Sequence, residues 1–99
     1  MIPLESVDYD TFFPLIGQTF SSGDAEGRVE LVLSVVEKLG HRREDAPRDP
    51  FSLTFRGPQG LRVPQGTYRL ECDGLGKIGL FITQVGDGAK GSEFEAVFT

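Results

Sequence analysis

The sequence predicts a mainly β domain, a small antiparallel six-stranded barrel or barrel-like sandwich with a short N-terminal helix. Three observations carry that expectation. Apolar residues recur with a period of two in six separate runs between residues 18 and 98. Each interval between the runs holds Gly, Pro or Asp turn chemistry. No interval contains a helical pattern long enough for a parallel crossover, so neighbouring strands are expected to be antiparallel and to close on themselves, which removes exposed edges.

The helix comes first. In "SVDYDTFFPLIG", Ser6 or Asp8 can cap one to two turns, Pro14 prevents a longer run and Gly17 ends it, leaving Phe12, Phe13, Leu15 and Ile16 as an apolar plug. The strands follow at 18–22, 28–39, 51–56, 67–72, 77–85 and 93–98. Side chains two apart share a face, so Val29, Leu31, Leu33 and Val35 form one core row, Phe51, Leu53 and Phe55 a second, Ile78, Leu80 and Ile82 a third, and Phe94, Ala96 and Phe98 a fourth. The connections are "SGDAEG" at 22–27, a charged loop at 40–50, "GPQGLRVPQG" at 57–66, "DGLG" at 73–76 and "GDGAKG" at 86–91. Within 58–66 the tripeptide Pro-Gln-Gly occurs twice. Each copy suits a type I turn with Pro at i+1 and Gly at i+3, and the second Gly can take a positive φ, so the pair brackets a corner.

Ninety-nine residues with 38% apolar content predict one domain, residues 1–99, with a single core. No apolar run approaches the roughly 20 residues that span a bilayer, and "MIPLESVDYD" lacks the pattern of a secretory leader, so a cytoplasmic location and no membrane contact are expected. A net charge of −5 opposes attraction to nucleic acid and anionic lipid. The lone Cys72 alternates with Tyr68 and Leu70 and is expected to be a small buried hydrophobe. Against the acidic background, "HRREDAPR" at 41–48 gathers Arg42, Arg43 and Arg48, a candidate anion patch; interleaved Glu44, Asp45 and Asp49 make a solvated loop the stronger expectation.

"GLGKIG" at 74–79 and "GDGAKG" at 86–91 fit the glycine spacing of a dinucleotide-binding loop, but that loop must open a helix, and here a strand or only eight residues follow. Both read as hairpin turns. One His and one Cys do not assemble a zinc site. Glu93 with Glu95, and Glu71 with Asp73, share strand faces, which reads as solvated surface because the alternate positions claim the core. No catalytic residue, cofactor or metal is therefore expected.

The stretches "PFSLTFRGP", "PQGTYRLECDGLGKIGLFITQVG" and "FEAVF", with "FFPLIGQTF" before them, resemble a family of small uncharacterised bacterial domains, DUF6916, over most of the chain. That resemblance implies a compact β-rich fold without an established activity, and a loose association with phage-tail-like proteins. The functional expectation is a non-enzymatic structural or interaction module. A small-ligand-binding barrel or carboxylate-based enzyme is the alternative. If the core rows are as assigned, Val32, Val36, Phe81 and Val97 project from the opposite face, which should have been polar. The N-terminal plug can shield only part of that face. The remainder is a candidate interface for a protein partner or a second copy.

Overall fold

The computed structural model describes residues 1–23, 28–46 and 48–99. The turn expected at 22–27 lies largely outside the described residues, as does Pro47.

Asp8, not Ser6, starts the helix. Its Oδ1 accepts from the Thr11 N–H at 3.0 Å while the Thr11 hydroxyl accepts from the Asp8 N–H at 3.1 Å, a reciprocal capping box over α1, Tyr9–Phe12. Ser6 instead turns back, its hydroxyl donating to the Pro3 carbonyl at 2.8 Å. Pro14 sits in the 3₁₀ turn Phe13–Leu15 that follows, and Gly17 takes φ +94° to swing the chain into the sheet.

Six strands follow: β1 Thr19–Gly23, β2 Arg28–Lys38, β3 Phe51–Gly57, β4 Gly66–Cys72, β5 Gly76–Gly88 and β6 Gly91–Phe98. All pair antiparallel, in the ring order β1-β2-β3-β6-β5-β4, and the bridge between Ser21 and Glu71 joins β4 back to β1. The last strand therefore returns to the middle, between β3 and β5. Phe20, Leu31, Leu33, Phe55, Leu70, Ile78 and Phe94 are buried inside the ring. At about 1.5–3 kcal/mol for each fully buried side chain of this size, these rows are the main source of stability.

The phase of β2 departs from strict alternation. Leu33 pairs with Phe55 but Val35 pairs with Thr54, so Ser34 is an extra residue, a β-bulge, and its hydroxyl donates to the Thr54 carbonyl at 3.0 Å. Beyond the bulge the two faces exchange. Val35, expected inside, is 43% exposed, whereas Val36, expected outside, is 8% exposed and belongs to the core. Val29, also expected in the core row, is only partly buried.

Each end of the barrel has its own cover. The N-terminal helix closes one end and does not shield the outer face: Phe12 is fully buried with its ring 5.9 Å from Phe51 and 5.7 Å from Phe98. Residues 58–65 cross the other end, with Leu61 and Val63 packed against the core. There the turn register differs from the expectation. The Leu61 N–H donates to the Pro58 carbonyl at 3.2 Å, so Pro58 is position i, and Gly60 at φ +86° is the i+2 residue that needs a positive φ. The second glycine, Gly66, begins β4 without one.

Candidate functional site

The double Pro-Gln-Gly segment is held as a strap by two side chains of β5 and one of β6. Gln84 donates from Nε2 to the Leu61 carbonyl at 2.9 Å and accepts at Oε1 from the Val63 N–H at 3.0 Å. Asp87 accepts from the Gly60 N–H at 3.0 Å and lies 3.8 Å from the Arg62 guanidinium, and the Ser92 hydroxyl donates to the Pro58 carbonyl at 2.9 Å. A second bulge makes this possible. Gln84 pairs with Phe94 but Gly86 pairs with Glu93, so Val85 is extra and both Gln84 and Asp87 fall on the strap side. The strap is thus a fixed lid over a filled core.

The groups with chemical potential are separated. Glu93 pairs with Arg56 at 3.0 Å across β6 and β3, both about two-thirds buried, and Glu95 lies on the same outer row. His41 is exposed in the charged loop. The Cys72 thiol is buried and donates to Gln18 Oε1 at 3.1 Å. Among the described residues no group of three or more His, Cys, Asp or Glu side chains converges to hold a metal ion. Both glycine-rich stretches lie in hairpins. Asp73 and Gly74 are the centre of the β4–β5 turn, where the Leu75 N–H donates to the Cys72 carbonyl. Ala89 and Lys90 turn β5 into β6, with Gly88 paired to Gly91, which takes φ +112°.

The three arginines of the loop are divided. Arg42 and Arg48 line one cleft together with Asp8, Asp10 and Asp49, whereas Arg43 lines another with Leu39 and Ala46. Arg42 is spent on its own loop: its guanidinium donates to the Ala46 carbonyl at 3.2 Å. Arg48 reaches across the fold. It donates to the Leu4 carbonyl at 2.7 Å, and its guanidinium lies 5.1 Å from the Phe98 ring centroid.

The four apolar candidates do not form one patch. Val36 is core. Val32 lies on the outer face of β2 beside Arg56. Phe81 and Val97, each 54% exposed, line a single cleft of about 230 Å³ with Leu4, Arg48 and Thr99. No periodicity signals that Leu4 and Arg48 join this cleft, because they arrive from outside the sheet. Val35 was missed as an exposed side chain for another reason, since it follows the bulge at Ser34.

The sequence profile described as Domain of unknown function (DUF6916) matches residues 7–98. The chain belongs to the DUF6916 family. No curated protein and no solved structure matches it. The DUF6916 match spans the whole six-stranded ring together with α1, so the helical end cover belongs to the same unit as the sheet. Among the described residues of this DUF6916 chain, no helix is long and apolar enough to cross a membrane.

Proposed function

We propose that the domain is a non-enzymatic structural or protein-interaction module whose working surface is the outer side of β5 and β6 around Phe81 and Val97. One observation carries this reading: two large apolar side chains, each more than half exposed, line the same cleft on the outside of the sheet. Burying either side chain at an interface would contribute on the order of 1 kcal/mol or more. The alternative, a barrel that holds a small ligand, needs a chamber. Phe20, Phe55 and Phe94 are fully buried inside the ring and α1 and the strap lie over its two ends, which supports the interaction reading over a chamber. The acidic pair that an enzyme reading would use is on the outer face, with Glu93 tied to Arg56.

The partner is a protein or a second copy. The net charge of −5 supports neither nucleic acid nor anionic lipid. Cytoplasmic location is part of the proposal, supported by the single reduced thiol. So is the association with phage-tail-like proteins, for which a small closed barrel would be a suitable building block. Sedimentation of the wild type, Phe81→Lys and Val97→Lys over a range of concentrations tests the reading. Association that is lost in folded variants supports it. A wild type that stays monomeric, with no binding that Phe81→Lys abolishes, overturns it.

A further inference from the structure

Within the closed ring the β5–β6 ladder stops short. Pairing between β5 and β6 runs from Gly88 with Gly91 to Thr83 with Glu95 and stops there. Beyond that point Gly79–Ile82 keep β4 as their neighbour, and Ala96–Phe98 keep β3, but the two segments have no ladder between them. The cleft lined by Phe81 and Val97 lies in this split.

Backbone direction decides what the split can accept. Along a strand, alternate residues present N–H and C=O to the same edge. The Lys77 carbonyl points away from β4, since it accepts from the Ile2 N–H at 2.9 Å. The β4 register from Lys77 to Ile82 is regular, so Gly79 and Phe81 present their amides and carbonyls to that same edge. The edge already binds one extended backbone, at Ile2. Gly79 keeps the outer side low there, with Met1 Sδ as the nearest neighbour at 3.6 Å from where a Cβ would stand.

At the end of the cleft stands Arg48. Its guanidinium donates to the Leu4 carbonyl, and its buried Nε has no partner among the described residues. No described carboxylate lies within ion-pair distance of it. A guanidinium has five N–H donors, and a half-buried one without a counter-ion gains from an anion. We propose that the β5–β6 split receives an extended peptide of another protein that carries a carboxylate. Its backbone pairs with the edge at Gly79 and Phe81, an apolar side chain lies against Phe81 and Val97, and its carboxylate meets Arg48. This rests on the interaction reading above and specifies the partner's chemistry. The net charge of −5 opposes an acidic peptide at long range, but at physiological salt that repulsion is screened beyond about 8 Å, so contact at Arg48 decides.

The test uses blocked heptapeptides GTVEVTG, GTVQVTG and GTVKVTG, titrated into the ¹⁵N-labelled domain. The glutamate peptide should shift the amides of Gly79, Phe81 and Val97 and bind about tenfold tighter than the glutamine peptide, a difference of one charge-assisted pair. The lysine peptide should be weaker still. Arg48→Gln should remove the glutamate preference while the glutamine peptide binds as before. No shift at those amides at about 1 mM glutamate peptide, or equal binding of glutamate and glutamine peptides to the wild type, overturns the proposal. If Phe81→Lys meanwhile abolishes self-association, the interaction reading stands and only the peptide site falls.

Discussion

The rings of Phe51 and Phe98 lie parallel, 4.6 Å between centroids and 4° between planes. These residues face each other in the register of β3 and β6, at the first residue of one strand and the last of the other. Phe12 from α1 rests on both, and the Arg48 guanidinium lies 5.1 Å from the Phe98 ring centroid and 5.9 Å from that of Phe51. One pair of side chains thus joins the end of the sheet to the helix that covers it. Removing one ring deletes a large buried side chain and leaves a hole that a stiff barrel fills poorly. Phe98→Ala should lower stability by about 3–5 kcal/mol, read as a fall in the urea midpoint, whereas Phe98→Leu should recover roughly half. Equal midpoints for wild type and alanine variant would show that this end does not belong to the cooperative unit.

The bulge at Ser34 makes a prediction that simple alternation reverses. Val36→Lys places a charge in the core beside Leu53, its partner on β3, and should unfold the domain or cost several kcal/mol. Val35→Lys projects outward and should change stability by about 0.5 kcal/mol or less. Circular dichroism melts of the two variants decide it. Similar behaviour of the pair would place the phase change elsewhere.

What was legible in the sequence follows the same physics. Strand existence was legible because Phe51, Leu53 and Phe55, or Phe94, Ala96 and Phe98, alternate without interruption over ladders that have no bulge. Faces were illegible beyond Ser34, since a single inserted residue exchanges inside for outside and Val35 and Val36, which follow it, are alike. Ser34 was the available sign: a hydroxyl within an apolar run, able to satisfy a carbonyl that the bulge displaces. Arg48 was read as one charge among three, because its reach to Leu4 spans 44 positions and leaves no periodicity. The exposed pair Phe81 and Val97 was legible, but the cleft they share was not, since it exists only where a ladder stops.

Gly91 tests the turn between β5 and β6. It has φ +112°, and a Cβ there would stand 2.3 Å from the Gly57 carbonyl oxygen, a backbone atom fixed in β3. Gly91→Ala therefore combines backbone strain with a clash that no side-chain rotation relieves, and should cost more than about 2 kcal/mol. Gly88, three residues earlier, has open space around its Cα and no positive φ, so Gly88→Ala should be nearly neutral. The urea midpoints of the two alanine variants, compared in one experiment, separate a turn requirement from a general preference for glycine.

Gln84 is the residue on which the strap depends most. Its amide satisfies a carbonyl at Leu61 and an N–H at Val63, two backbone groups that the irregular path of residues 58–65 would otherwise leave without sheet partners. A half-buried polar group left unpaired costs on the order of 1–3 kcal/mol, and water reaching the strap recovers part of it. Gln84→Ala should therefore destabilise by about 2 kcal/mol and release the strap at Leu61 and Val63 before the sheet opens. Gln84→Glu keeps the acceptor for the Val63 N–H but turns a second oxygen toward the Leu61 carbonyl, so it should lie between wild type and alanine. The measurement is amide hydrogen exchange. Faster exchange of Val63 in the variants, with the β3 and β6 amides still protected, is the expected result. Exchange of Val63 that tracks global unfolding in every variant would mean that the strap is part of the core, held by Leu61 and Val63 themselves and not by Gln84.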